Sequence, residues 1–147
     1  MNGAETATDT DMKEDATIIR VTAAILARNR RVLIARRRPG GRQPNLWEFP
    51  GGKIEPGESP EDCLRREMKE EFSIDASIGE YLGASLYRYD FGVIELMAFR
   101  AVWEKGAMRL RDHGAIRWAA PEELATVRFS PADIPFAEKI VSGLIPL

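Results

Sequence analysis

Apolar residues fall along the chain in two rhythms. From Thr17 to Ala27 the β-branched Ile18, Ile19 and Val21 lead into the unbroken run Ala23 to Leu26, and Val32 to Ala35 repeats the pattern after a polar interval. Short apolar runs rich in branched side chains predict buried strands, and Asn29-Arg30 between them predicts a tight hairpin. Trp47-Glu48-Phe49 alternates as a third, short strand, which Pro50-Gly51-Gly52 is expected to break. The rhythm then changes. Between Pro60 and about Phe72, Leu64, Met68 and Phe72 recur at every fourth position, the repeat of one helical face. Strand composition returns over Tyr81 to Tyr89 and Val93 to Trp103, with Asp90-Phe91-Gly92 and Glu104-Lys105-Gly106 as turns, and again over Ala115 to Ala119. Pro121 to Ala125 predicts a short helix. Ser130 to Asp133 leads into a final helix whose Ile134, Phe136, Ala137, Ile140 and Val141 are expected to pack inward.

Residues 1–16 break this pattern, being polar and acidic with almost nothing to bury. They predict a disordered tail, and residues 17–147 a single domain. The chain has 147 residues, 44% hydrophobic and 30% charged, the balance of a soluble globular protein. A net charge of −2 argues against nonspecific affinity for a nucleic-acid polymer, though not against a nucleotide carried with metal. The lone Cys63 cannot form an internal disulfide and suits a reducing compartment; it is expected to be a packed, inert thiol. No apolar run approaches membrane-spanning length and no secretion signal opens the chain, so a cytoplasmic location is expected.

Charge matters most on the Pro60–Phe72 segment. Ser59 and Pro60 give a cap and a favourable first helical residue. Beside the apolar face, Glu67, Glu70 and Glu71 share one turn. Glu67 and Glu71 repel at i, i+4, and Glu70 and Glu71 sit at the negative end of the helix dipole, each a cost of roughly 0.3–1 kcal/mol. The structural alternative is a solvated face neutralised by Arg65, Arg66 and Lys69. The chemical one is a set of hard oxygen ligands for Mg²⁺ or Mn²⁺ beside a polyphosphate.

Spacing favours the second. Gly52, Glu58, Arg66, Glu67, Glu70 and Glu71, with apolar Met68 and Ile74, match the Nudix box, G-x5-E-x7-R-E-U-x-E-E-x-G-U. At ordinary residue frequencies the match arises by chance on the order of 10⁻⁸ per starting position. Ser73 departs from the pattern, standing where the family has a glycine that turns the chain out of the helix. The chain resembles Nudix hydrolases from about Ile19 to Ile140. Trp47 to Glu55 and Phe129 to Pro135 resemble the MutT-like branch of 8-oxo-dGTP diphosphatases and CTP pyrophosphohydrolases.

The resemblance implies an α/β (α+β) fold, an αβα sandwich with a mixed sheet between helices. It implies that Glu67, Glu70 and Glu71, with the Gly51 carbonyl, bind the metal, that Glu58 supports them, and that Arg66 orients the carboxylates. A late acid six positions before Trp118, Asp112, is expected to reach the metal site, and the adjacent His113 to support it. Phe49 and Asp133 would flank the base and Arg37 hold the nucleotide. The implied reaction is Mg²⁺-dependent hydrolysis of a nucleoside triphosphate to monophosphate and pyrophosphate, with Glu67 as base, in nucleotide-pool sanitation by a monomer or homodimer. Asp133, taken as ionised and so acceptor-only, predicts a donor edge, cytosine N4 or the N7–H of 8-oxoguanine, and rejection of guanine. A helix cap is the structural alternative for Asp133. An ADP-ribose or dinucleotide pyrophosphatase and a catalytically silent nucleotide sensor are the competing functions.

Overall fold

The computed structural model describes residues 17–37 and 45–147. The expected tail, Arg38 and the loop 39–44 lie outside the described residues. Among these, seven strands form a mixed sheet: β1 (Ile18–Arg28), β2 (Arg31–Arg37), β3 (Trp47–Glu48), β4 (Gly51–Lys53), β5 (Asp75–Tyr89), β6 (Gly92–Lys105) and β7 (His113–Ala119). Two helices, α1 (Pro60–Phe72) and α2 (Ile134–Val141), complete the fold.

Strands β3, β2, β1, β6 and β5 run side by side, with β4 also paired to β1 and β7 to β2. Only β1 and β6 pair in parallel. Strand β1 divides its other edge: Val21–Ala23 pair with β4, and Ala27–Arg28 with β2. That division parts β4 from β2 at the place where the site forms.

The unbroken apolar runs of β1 and β2 follow from helices covering both faces of the sheet. Ala23, Ile25, Val32 and Ile34 point into a core with Phe136 and Ile140 of α2. Their neighbours Ala24, Leu26, Leu33 and Ala35 point the other way, against Leu64, Met68 and Phe72 of α1. The Asn29-Arg30 hairpin turns with φ of 54° and 61°, the left-handed pair of a type I′ turn.

Several boundaries differ from the sequence pattern. The break expected after β3 falls at Phe49-Pro50, and Gly51–Lys53 is already a new strand, because β1, some thirty residues earlier, supplies its partners. Strand β5 starts at Asp75, where pairing with Lys105 at the end of β6 outweighs weak strand composition. That pairing also carries β6 into the expected Glu104–Gly106 turn as far as Lys105, and Gly92 starts β6 rather than belonging to the preceding turn. Pro121–Thr126 is 3-10 helix. Of the final helix, Phe136, Ala137 and Ile140 are buried, but Ile134 and Val141 are 40% and 42% exposed, lying off the inward face of so short a helix.

Candidate active site

Helix α1 starts where its cap chemistry dictates. The Ser59 hydroxyl accepts the Asp62 N–H at 3.1 Å, and Pro60 takes the first helical position. At the other end Ser73 adopts φ 60°, ψ 30°, the left-handed exit, and donates its N–H to Lys69 O at 3.0 Å. The family's glycine geometry is thus kept by a serine.

Arg66 organises the face between these ends. Its guanidinium forks onto Glu58, with Nε 2.6 Å from Oε2 and NH2 2.9 Å from Oε1. NH1 reaches Glu67 at 3.0 Å and Glu70 at 3.1 Å, and NH2 also reaches the Lys53 carbonyl at 3.1 Å. Hydrogen bonding from Arg66, joined by the Glu55 N–H, holds the Glu58 carboxyl down at about 2. Glu67 goes the other way. Burial pushes it up to about 7 against the pull of Arg66, and the charges of Glu71 and Glu70 add to the rise.

Glu71 lies apart from this arginine. Burial raises its carboxyl, hydrogen-bond contact with Asp112 raises it further, and its Oε1 is buried with no hydrogen-bond partner. Asp112 thus lies close enough to Glu71 to disfavour its charge. The three box glutamates do not converge, however. Among the described residues no three acidic, histidine or cysteine side chains form a ready cage, because Arg66 draws Glu67 and Glu70 to itself while Glu71 turns to Asp112.

Strand β4 is laid directly over Glu67. A side-chain carbon on Gly52 would fall 2.2 Å from the Glu67 carboxyl carbon, and one on Gly51 1.8 Å from the Thr22 carbonyl oxygen. Only glycines allow this approach. Thr22 donates its hydroxyl to the Gly52 carbonyl at 3.2 Å, and the buried Cys63 thiol packs 3.3 Å from that hydroxyl. Burial raises the thiol, as an inert cysteine requires.

Gly51 and Gly52 also line a cavity of about 240 Å³ together with Arg37, Phe49 and Asp133, so the structure gathers all three expected base-side residues. Phe49 stacks on Phe129 at 5.1 Å and donates its N–H to Asp133 Oδ1 at 3.0 Å. Asp133 makes no cap hydrogen bond with α2, which removes the capping alternative. Buried to 6% exposure, its carboxyl is pushed well above the usual range, first by desolvation and then by the charge of Glu48. Burial thus works against the ionised, acceptor-only aspartate expected from the sequence.

Glu48 is the residue the sequence pattern passed over. Its Oε1 accepts from Arg37 Nε at 3.0 Å, and its Oε2 lies 2.7 Å from His113 Nε2. An acid between two aromatics, opposite a strand ending in arginines, was the available signal. His113 lies not in a polar loop but in β7, 8% exposed, paired with Arg37 and stacked on Phe72 at 5.4 Å.

An acidic helical turn and a base-sized cavity thus share one wall of glycines. The NUDIX domain family matches residues 17–141. The chain belongs to the Nudix family. A CTP pyrophosphohydrolase of Escherichia coli strain K12 is 38% identical over 125 residues, covering 85% of this chain and 93% of that protein. An 8-oxo-dGTP diphosphatase of Haemophilus influenzae is 28% identical over 130 residues, 87% of this chain and 95% of that one. The solution structure of the E. coli ORF135 protein superposes with a TM-score of 0.76 at 36% identity, covering 88% of this chain and 92% of that one. This Nudix hydrolase therefore has the α/β sandwich of its family, whose members act on small nucleotides and generally use divalent metal ions. Among its described residues no helix is long and apolar enough to cross a membrane.

The donor chemistry suits such an ion. The box supplies hard carboxylate oxygens, one of them, Glu71 Oε1, buried and unpartnered, and a second carboxylate, Glu67, is pushed toward protonation chiefly by burial.

Proposed function

We propose that this Nudix hydrolase cleaves a nucleoside triphosphate of the CTP, dCTP or 8-oxo-dGTP class to the monophosphate and pyrophosphate, and so removes unwanted nucleotides from the pool. The observation that carries this reading is the shared wall: β4 has the base cavity on one side and Glu67 of the acidic turn against the other. At about 240 Å³ the cavity is smaller than the roughly 300–1,000 Å³ that encloses a whole drug-sized ligand. A base fits inside and its phosphates extend over Gly51 and Gly52. The named relatives, a CTP pyrophosphohydrolase and an 8-oxo-dGTP diphosphatase, support the substrate class.

Glu67, Glu70 and Glu71, with the Gly51 carbonyl, would hold Mg²⁺, with Mn²⁺ as a substitute, and Asp112 would join them through Glu71. Bound there, the cation supplies neutralisation of the polyphosphate charge and a lowered water pKa. Glu67, pushed up to about 7 by burial before any cation binds, would take a proton from the attacking water. The water oxygen bonds to the β-phosphorus as the bond to the α–β bridging oxygen breaks, and that oxygen leaves with the monophosphate. Arg66 keeps Glu58, Glu67 and Glu70 oriented.

At the base, Asp133 reads as an acid rather than an anion. Its Oδ1 takes the Phe49 N–H, which leaves the proton to Oδ2. A neutral carboxyl offers a donor beside an acceptor, as an asparagine does, and so suits the N3 and N4 edge of cytosine or the O6 and N7–H edge of 8-oxoguanine. Rejection of guanine no longer follows from charge and has to come from the single mismatch at N7. Products released with Mg²⁺ from CTP, dCTP, 5-methyl-dCTP, dGTP, 8-oxo-dGTP and ADP-ribose test the proposal. Monophosphate and pyrophosphate from cytosine or 8-oxoguanine substrates are expected. Turnover of ADP-ribose alone, or none with retained binding, would overturn it.

A further inference from the structure

The loop between β6 and β7 carries Asp112 but lies outside the box, and its contacts with α1 run in a consistent order. A helix ends with carbonyls that no later helical N–H reaches. In α1 those of Met68 and Lys69 are taken by Ile74 and Ser73, and the loop takes two more. Arg109 donates its N–H to the Phe72 carbonyl at 2.9 Å, and Arg111 donates to the Glu71 carbonyl at 3.1 Å. At the start of the loop, a side-chain carbon on Gly106 would fall 2.6 Å from the Ser73 carbonyl oxygen and 3.1 Å from the Ile74 Cα. Gly106, Arg109 and Arg111 thus meet Ser73, Phe72 and Glu71, forward along the loop and backward along the helix end. The next loop residue is Asp112, and this register brings it against the Glu71 carboxyl.

Gly106 fixes where the register starts. Its φ of 99° is one that L-residues rarely adopt, and the atoms it lies against are backbone, which cannot swing aside as a side chain does. From the other side the Trp103 indole N–H donates to the carbonyls of Lys105 and Gly106, at 3.1 and 3.0 Å. Trp103 is itself held, because Trp118 stacks on it at 6.3 Å with planes 10° apart and the Arg28 guanidinium lies 4.1 Å over its ring. Met108 packs with both tryptophans against the core that holds Leu64, Met68 and Phe72 of α1. An exposed aspartate on a loop would otherwise have to be ordered when a cation arrives, and that ordering opposes binding. The contacts with α1 do the ordering in advance.

We infer that Gly106 is a positioning residue for this active site: seated on the helix exit, it sets the loop in register with the last turn of α1 and so holds Asp112 beside Glu71. Trp103 shares the task from the opposite side. The inference rests on the divalent-metal reading of the acidic turn proposed above, and adds to it two residues outside the box that act only through Asp112.

The test follows Mn²⁺ binding by calorimetry in the full chain for Gly106→Ala, Trp103→Phe and Asp112→Asn, each alone, and for the first two combined with the third. Asp112→Asn should weaken binding by about 10- to 100-fold, and Gly106→Ala by about 10-fold. Trp103→Phe keeps a flat ring in the stack but frees two surface carbonyls to water, so a loss of about 2- to 5-fold is expected. Combined with Asp112→Asn, neither should weaken binding further, because the placement each disturbs no longer matters. In the metal-free protein, the Arg109 and Arg111 amides should exchange with solvent faster in Gly106→Ala, while amides in the middle of α1 do not. The same fold-loss with and without Asp112 would make Gly106 and Trp103 general packing residues and overturn the inference, as would wild-type Mn²⁺ affinity or unaltered exchange in Gly106→Ala. Asp112→Asn binding as tightly as wild type would overturn it too, while leaving the box carboxylates as metal ligands. No Mn²⁺ uptake by wild type would overturn the metal reading along with it. If Gly106→Ala is too unstable to assay, Trp103→Phe, which leaves the backbone unstrained, carries the same comparison.

Discussion

Two arginines of this Nudix hydrolase each hold a glutamate, yet Glu58 beside one is held low while Asp133 near the other is pushed up. Arg66 forks onto Glu58 and extends to Glu67 and Glu70, so that its side of β4 holds several acids around one cation, with Glu58 held at about 2. Arg37 is hydrogen-bonded to Glu48, whose second oxygen meets His113, and for Asp133 burial and the repulsion of Glu48 outweigh one backbone N–H and the charge of Arg37. The carboxylate charge is therefore favoured at Glu58 on one side of the glycine strand and disfavoured at Asp133 on the other. What separates the two is the placement of a single guanidinium and the depth of burial, not residue type.

The largest effect expected from breaking this contrast is at Glu67, which belongs to the charged side yet is pushed up to about 7 by burial. A base must be ionised to accept a proton, and a bound cation favours the ionised carboxylate, so kcat in the wild type should rise with pH at a value below the one of about 7 that the metal-free group has. Glu67→Gln removes the base at nearly constant shape and should lower kcat by roughly 10²–10⁴-fold while thermal unfolding is little altered. Turnover within a few-fold of wild type would take the role of base away from Glu67.

A smaller effect sets the two acids against each other directly. The Asp133 carboxyl is raised in the folded state, so its contribution to stability is complete below the ordinary aspartate value, near 3.9, and is lost as pH rises toward the folded one. Glu58 is depressed to about 2, so its contribution is present above its ordinary value and is lost as pH falls toward 2. Asp133→Asn, neutral at every pH, should therefore gain on wild type as pH rises, by at most about 1.4 kcal/mol per unit for one proton. Glu58→Gln should instead narrow its deficit as pH falls. Urea unfolding at a series of pH values reads both. Parallel curves for wild type and Asp133→Asn would mean an ionised Asp133 and no contrast between the two sides.

The charged side was legible in the sequence because its parts are local. Ser59, Pro60 and the fourfold apolar repeat set the bounds of α1, and Glu67, Glu70, Glu71 and Arg66 lie within one and a half turns of one another. The neutral side was legible only as a roll of residues. Its defining contacts, Phe49 to Asp133 and Glu48 to His113, join positions 84 and 65 apart, and sheet pairing brings them together. The upward push on the Asp133 carboxyl comes first from burial, which no local pattern encodes. The same reason hid β4 and the first half of β5, whose compositions are poor for strands and whose partners lie far along the chain. The unbroken runs of β1 and β2, by contrast, announced a sheet covered on both faces.

The smallest effect distinguishes backbone strain from charge at the end of α1. Ser73 holds φ 60° where the box pattern has glycine, a conformation that costs an L-residue roughly 1–2 kcal/mol and glycine almost nothing. Its N–H bond to Lys69 O and the Ile74 N–H bond to Met68 O are both backbone contacts that glycine would keep. Ser73→Gly should therefore stabilise the fold by about 1 kcal/mol, somewhat less than the strain relieved because glycine also loosens the unfolded chain. Since Glu70 and Glu71 stay on the same turn, kcat and its pH profile should not move. A gain in stability with unchanged kinetics would assign the serine's cost to the helix exit alone. A shift in the pH profile would instead tie that exit to the charge balance around Arg66, and the two sides of β4 would then differ in backbone as well as in charge.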